Sequence, residues 1–128
     1  MAEQTVLILD DEPEMLRFFT SVIESAGYKT IGVQNGSEAL KATRANRPDL
    51  AVVDLGVPGL SGVQFITVLK RDWSVRTPVL VVTGRTSERD RQEAMVAGAD
   101  RLLTKPVLRE DLLAAVRELL AHPPPADE

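Results

Sequence analysis

The chain has 128 residues, 44% of them hydrophobic and 27% charged, the size and balance of one soluble domain with one core. Fifteen Lys+Arg against nineteen Asp+Glu leave a net charge of −4 and a pI near 5.1, which argues against direct, sequence-independent binding to nucleic acid. There is no cysteine, and the single histidine (His122) lies in a proline-rich tail, so thiol, disulfide and histidine-cluster chemistry are excluded. Any reaction must run on carboxylates, hydroxyls and lysines.

Residues 5–9 form a continuous apolar run too short for a helix. From Glu12 the period changes: Met15, Phe18, Phe19, Val22, Ile23 and Ala26 recur at three- and four-residue spacing. Pro13 suits the first turn of that helix and Gly27 its end. Residues 28–33 read as a second strand, and Asn35-Gly36-Ser37 as a turn ending in a helix cap, with Ala39, Leu40 and Thr43 facing inward beyond it. Residues 50–53 are a buried strand, followed by a loop dense in turn residues from Gly56 to Gly62. Phe65, Ile66 and Leu69 mark a third helix. Pro78 opens the strand 79–82, Ser87 caps a fourth helix and Gly98 closes it. Residues 101–103 read as a fifth strand, and Leu112, Leu113, Val116, Leu119 and Leu120 as the stripe of a last helix. Periodicity stops at Ala121, so residues 1–121 read as the domain and residues 122–128 as a frayed tail or the start of a linker. The apolar runs are too short to span a bilayer, and residues 1–10 lack the basic start and apolar stretch of a secretory signal, so a cytoplasmic location is expected.

Strands that are apolar throughout imply a sheet covered on both faces. Five strands alternating with five helices then predict an α/β fold, a doubly wound, flavodoxin-like (βα)5 parallel sheet of strand order 2-1-3-4-5. Ligands of such sheets lie beyond the carboxyl ends of the strands. Asp10 and Asp11 end the first strand, Asp54 the third and Thr83 the fourth, and Lys105 follows the fifth. Each alone has a plain structural explanation: an acid caps a helix or starts a turn, a lysine is solvated. Together they do not. At about 4 Å and an effective dielectric of about 20, each pair of carboxylates repels by about 4 kcal/mol, and Lys105 offsets only part of that. The cluster calls for a cation, and hard oxygen donors suit Mg²⁺. A carboxylate beside such a metal can attack phosphorus.

The acidic pair in Leu9-Asp10-Asp11-Glu12, Asp54 followed by Pro58 and Gly62, Thr83-Gly84, and Lys105-Pro106 together resemble the receiver domain of two-component response regulators, in register over about residues 4–121. The resemblance implies that Asp54 accepts a phosphoryl group from a phosphohistidine on a sensor histidine kinase or histidine phosphotransfer protein. Asp11 and Asp54 would contact Mg²⁺ directly, Asp10 mostly through water, and the Gly56 carbonyl would complete the protein ligands. Lys105 and Thr83 would meet phosphoryl oxygens, the Gly84 N–H would face the phosphate, and the Lys105–Pro106 bond would be cis. Such a domain promotes only its own phosphorylation and dephosphorylation. It signals to an output domain or separate effector and can dimerise on phosphorylation. Leu102 stands where receivers commonly carry a Tyr or Phe that turns inward with the threonine. Val57, Gly84 and Val107 also depart from the common residues, and Gly56 and Arg85 occupy positions that tune hydrolysis.

Three other readings compete. A pseudo-receiver, a phosphorylation-independent interaction module on the same fold, draws support from Leu102. A flavodoxin-like electron carrier is disfavoured by the anionic first loop, which lacks the hydroxyl- and glycine-rich run that holds a flavin phosphate. An aspartate-nucleophile phosphatase is similarly disfavoured, because turnover on outside substrates needs a general acid near the nucleophile and no residue is obviously placed for that role. Arg89, Arg91 and Glu93 on the fourth helix read either as a docking face or as a solvated charged surface.

Overall fold

The computed structural model describes residues 3–85 and 87–121. Strands β1 (Thr5–Leu9), β2 (Lys29–Val33), β3 (Leu50–Val53), β4 (Val79–Thr83) and β5 (Arg101–Thr104) alternate with helices α1 (Pro13–Ser25), α2 (Gly36–Asn46), α3 (Gly62–Thr67), α4 (Glu88–Ala97) and α5 (Arg109–Ala121). The strands form one parallel sheet in the order β2-β1-β3-β4-β5. This is the expected flavodoxin-like arrangement.

Because successive strand side chains point to opposite faces, the sheet splits the core in two. Val6 and Ile8 of β1, Leu50 and Val52 of β3, and Leu80 and Val82 of β4 pack with α1 and α5. Leu7 and Leu9, Ala51 and Val53, and Val79 and Val81 pack with α2, α3 and α4. Continuous apolarity holds for these three inner strands only. The edge strands β2 and β5 are half-buried to exposed, which follows from their having one sheet neighbour each.

The helices start where short polar side chains satisfy their first N–H groups. Asn35 Oδ1 accepts from the Glu38 N–H at 2.9 Å, so α2 begins at Gly36, ahead of the expected cap at Ser37. Gly36 sits against Leu60, and a Cβ there would run into the Leu60 carbonyl. Ser61 and Gln64 form a reciprocal capping box on α3, and Ser87 caps α4 as expected. The third helix does not run on regularly: α3 passes into a π turn, Val68–Asp72, closed by the Trp73 N–H on the Val68 carbonyl at 2.9 Å. That turn sets the Trp73 ring beneath the Arg44 guanidinium, 4.9 Å from Cζ to ring centroid. The two outer helices differ in anchorage. α5 buries Leu112, Leu113, Ala115, Val116, Leu119 and Leu120, whereas α4 buries only Ala94 and Ala97 and exposes Met95 and Val96. Among the described residues no helix is long and apolar enough to cross a membrane. The tail, 122–128, lies outside the described residues.

Candidate functional site

Parallel strands carry their following residues to one rim, and here the register brings three of them into contact. The Asp54 N–H donates to the Leu9 carbonyl at 2.9 Å, fixing β3 beside β1, and the Lys105 N–H donates to the Thr83 carbonyl at 2.9 Å, fixing the end of β5 beside β4. Asp10 and Thr83 are fully buried and Asp54 nearly so.

Asp54 is the hub. Its Oδ1 accepts from the Thr83 hydroxyl at 2.9 Å and the Gly56 N–H at 3.2 Å, and its Oδ2 accepts from Lys105 Nζ at 3.2 Å. Asp10 has a double role. Its Oδ1 accepts the Glu12 N–H at 2.9 Å, closing the entry to α1 where the Glu12 side chain makes no cap, while its Oδ2 accepts Lys105 Nζ at 2.9 Å. Lys105 also reaches Glu12 Oε1 at 3.1 Å, so one ammonium bridges three carboxylates. The Lys105–Pro106 bond is cis. Gly62 brings α3 so close to β3 that a Cβ would meet the Asp54 carbonyl, which keeps the loop between them tight against the rim.

Charge at this rim is poorly hydrated. Burial pushes the Asp10 carboxyl above its ordinary 3.8, and the Asp54 charge adds to this, although hydrogen bonds from Lys105 and the Glu12 N–H pull the other way. Burial works against the Lys105 ammonium too, yet the hydrogen bonds to Asp10 and Glu12 and the charges of Asp54 and Asp10 outweigh it and hold the group above its ordinary 10.5. The site therefore carries excess negative charge that one lysine does not balance.

Carboxylate oxygens of Asp10, Glu12 and Asp54 lie within 4.8 Å of one another. A crowd of hard oxygen donors around a partly desolvated carboxylate fits Mg²⁺ and offers nothing to a soft metal. Glu12 belongs to this group and was not among the expected ligands. Its signal in the sequence was its place at the start of α1, directly after the acidic pair. Asp11, expected as a ligand, is half-buried and lies outside the group. Gly56 is half-buried behind Asp54, with the exposed Arg85 side chain running past it, and Gly84 follows Thr83 at the exposed rim. Leu102 is half-buried and packs into the core shared by α2, α3 and α4, so it fills space where an aromatic ring was the common choice.

The family model of the response regulator receiver domain matches residues 6–117. The transcriptional regulatory protein KdpE of Mycobacterium tuberculosis is 38% identical over 112 residues, 88% of this chain and 49% of that protein. The DNA-binding response regulator MtrA of Mycolicibacterium smegmatis is 36% identical over 117 residues, 91% of this chain and 50% of that protein. The chain thus spans about half the length of these curated relatives. Among solved structures, a CheY-like response regulator receiver domain protein from Methanospirillum hungatei superimposes with a TM-score of 0.89 at 26% identity, covering 94% of this chain and 95% of that one. Chemotaxis protein CheY4 of Vibrio cholerae superimposes with a TM-score of 0.85 at 29% identity, covering 91% and 98%. With its acidic rim built from the ends of β1 and β3, this chain belongs to the receiver domain family of response regulators.

Proposed function

We propose that the chain is the phosphoacceptor of a two-component relay, in which Asp54 takes a phosphoryl group from a phosphohistidine of a sensor histidine kinase or histidine phosphotransfer protein. The observation that carries this reading is the convergence of Thr83 and Lys105 on the two oxygens of a single buried carboxylate. An Asp54 oxygen forms the new P–O bond while the P–N bond of the phosphoimidazole breaks and its electron pair returns to the ring nitrogen. Bound Mg²⁺ supplies positive charge to the phosphoryl oxygens and to the crowded acids. Asp10, Asp11, Asp54 and the Gly56 carbonyl would hold it, and the close approach of Asp10, Glu12 and Asp54 supports a divalent ion at this rim. Lys105, already against Asp54, pairs with one phosphoryl oxygen, the Thr83 hydroxyl turns from Oδ1 to another, and the Gly84 N–H faces the group. Leu102 repacks as Thr83 moves, and the domain promotes only its own phosphorylation and dephosphorylation. On this reading it works in the cytoplasm, dimerises when phosphorylated, and drives an output module in the same polypeptide or a separate effector.

Acetyl phosphate with Mg²⁺ is expected to add one phosphoryl group by intact mass, with none added to Asp54→Ala or in EDTA. Beryllofluoride with Mg²⁺ is expected to shift NMR signals around α4 and β5. Undiminished labelling of Asp54→Ala would remove Asp54 as acceptor. Unshifted signals would favour a phosphorylation-independent interaction module.

A further inference from the structure

At the end of the sheet opposite Asp54 lies a cavity of about 590 Å³ lined by Thr43, Arg44, Arg47, Trp73, Val75 and Thr77. It sits between the last turn of α2 and the segment entering β4, one strand length (about 16 Å) from Thr83. We propose that this cavity binds a small anion carrying a flat ring, of the chemical class of the nucleoside phosphates, with its phosphate on Arg44 and Arg47 and its ring on the stack of indole and guanidinium.

Charge comes first. The chain is acidic overall, and some exposed cations find acids, as Arg101 finds Glu118 at 2.7 Å. Among the described residues no carboxylate pairs with Arg44 or Arg47, so two exposed arginines line the cavity without a counter-charge. Guanidinium matches phosphate geometry and also stacks on aromatic faces. Arg44 already stacks on Trp73, which makes a platform that an added ring extends. The Thr77 hydroxyl donates to the Pro48 carbonyl, leaving its oxygen as an acceptor for a sugar hydroxyl. The volume falls within the roughly 300–1,000 Å³ usual for small-molecule sites.

The backbone points to the same place. Among the described residues, the non-glycine residues with left-handed φ are Arg47 at 45° and Ser74 at 52°. Arg47 is the C-cap of α2, where glycine is the easiest residue, and Ser74 lies between the lining residues Trp73 and Val75. The π turn that presents Trp73 is the third irregularity at this end. A helix dipole accounts for basic residues in the last turn of α2. It does not account for an indole held beneath one of them, or for two unfavourable backbone conformations bordering one cavity.

Trp73 is the only tryptophan of the chain, so its emission reports this cavity alone. The protein is titrated in EDTA with ATP, ADP, AMP and inorganic phosphate, following tryptophan fluorescence and, separately, equilibrium dialysis. Saturable binding of the nucleotides is expected, weaker by about tenfold or more for phosphate alone and for Arg44→Ala or Arg47→Ala, and unchanged in Asp54→Ala. Arg47→Gly removes the guanidinium while suiting the left-handed backbone, so the test survives if alanine there unsettles the fold. Phosphate binding as tightly as the nucleotides, absence of saturation in both readouts, or full affinity in the arginine variants would each overturn the proposal. Loss of binding in Asp54→Ala would do so as well, by moving the ligand to the acidic rim. Acetyl phosphate labelling of the same variants reads the acceptor chemistry separately.

Discussion

Replacing Lys105 by alanine tests the electrostatics of the acidic rim directly. Its ammonium lies 2.9 Å from Asp10, 3.1 Å from Glu12 and 3.2 Å from Asp54. Each contact at about 3 Å and an effective dielectric of about 20 has a gross attraction of about 5 kcal/mol, most of it cancelled by desolvation. The Glu12 side chain is 62% exposed and adds little, so the net cost comes from Asp10 and Asp54, whose side chains are 1% and 9% exposed. Stranding a buried charge without its partner costs about 3–5 kcal/mol, and that is the expected loss in urea titrations at neutral pH in EDTA. Two conditions should restore it. Mg²⁺ brings positive charge back to the rim. Acid also helps: without the lysine, Asp10 sits still further above 3.8, so the folded state takes up its proton before the unfolded chain does. The deficit is therefore full above the folded-state value and shrinks as pH falls toward 3.8. On the alkaline side the wild-type Lys105 contribution is full below 10.5 and is lost as pH rises through its elevated folded-state value, whereas in acid it fades as its partner Asp10 is protonated. A variant within about 1 kcal/mol of wild type at neutral pH in EDTA, or a deficit unaffected by pH, would refute this reasoning.

Asp10→Asn should raise stability without metal and weaken Mg²⁺ binding, because the charged form of a carboxyl whose folded pKa is raised costs stability above that value. Urea midpoints with and without Mg²⁺ measure both effects. Gly36→Ala should destabilise by about 1–3 kcal/mol, since its methyl meets the Leu60 carbonyl, which cannot move without the loop before α3. A shift in thermal midpoint checks this, with phosphorylation at Asp54 retained.

The sheet was legible because the inner strands are unbroken apolar runs with turn residues between them, a pattern only a doubly covered sheet satisfies. Once the strand order is known, chemistry-bearing residues after β1, β3, β4 and β5 must share a rim, so the meeting of Asp10, Asp54, Thr83 and Lys105 needed no side-chain detail. Which acid beside Asp10 meets Lys105, Asp11 or Glu12, did need it. A lysine stem is long enough to select among adjacent acids, and which one it meets depends on rotamers and on the entry angle of α1. The cap of α2 moved from Ser37 to Asn35 because both residues cap well and only the close packing of Gly36 on Leu60 decides between them. The π turn after α3 left no mark in the apolar spacing, because Phe65, Ile66 and Leu69 fit a regular helix equally well.

α4 holds the sheet by two alanine methyls, Ala94 and Ala97, while α5 is rooted by four leucines, a valine and an alanine. At about 0.8 kcal/mol per buried carbon, lifting α4 costs a small fraction of what lifting α5 would. The two sides of the sheet share no buried residue, so such a displacement leaves the far compartment undisturbed. A protein built this way has one loosely hinged panel on a stiff chassis. Whatever strains the rim near Thr83 will find its outlet there before it deforms anything else.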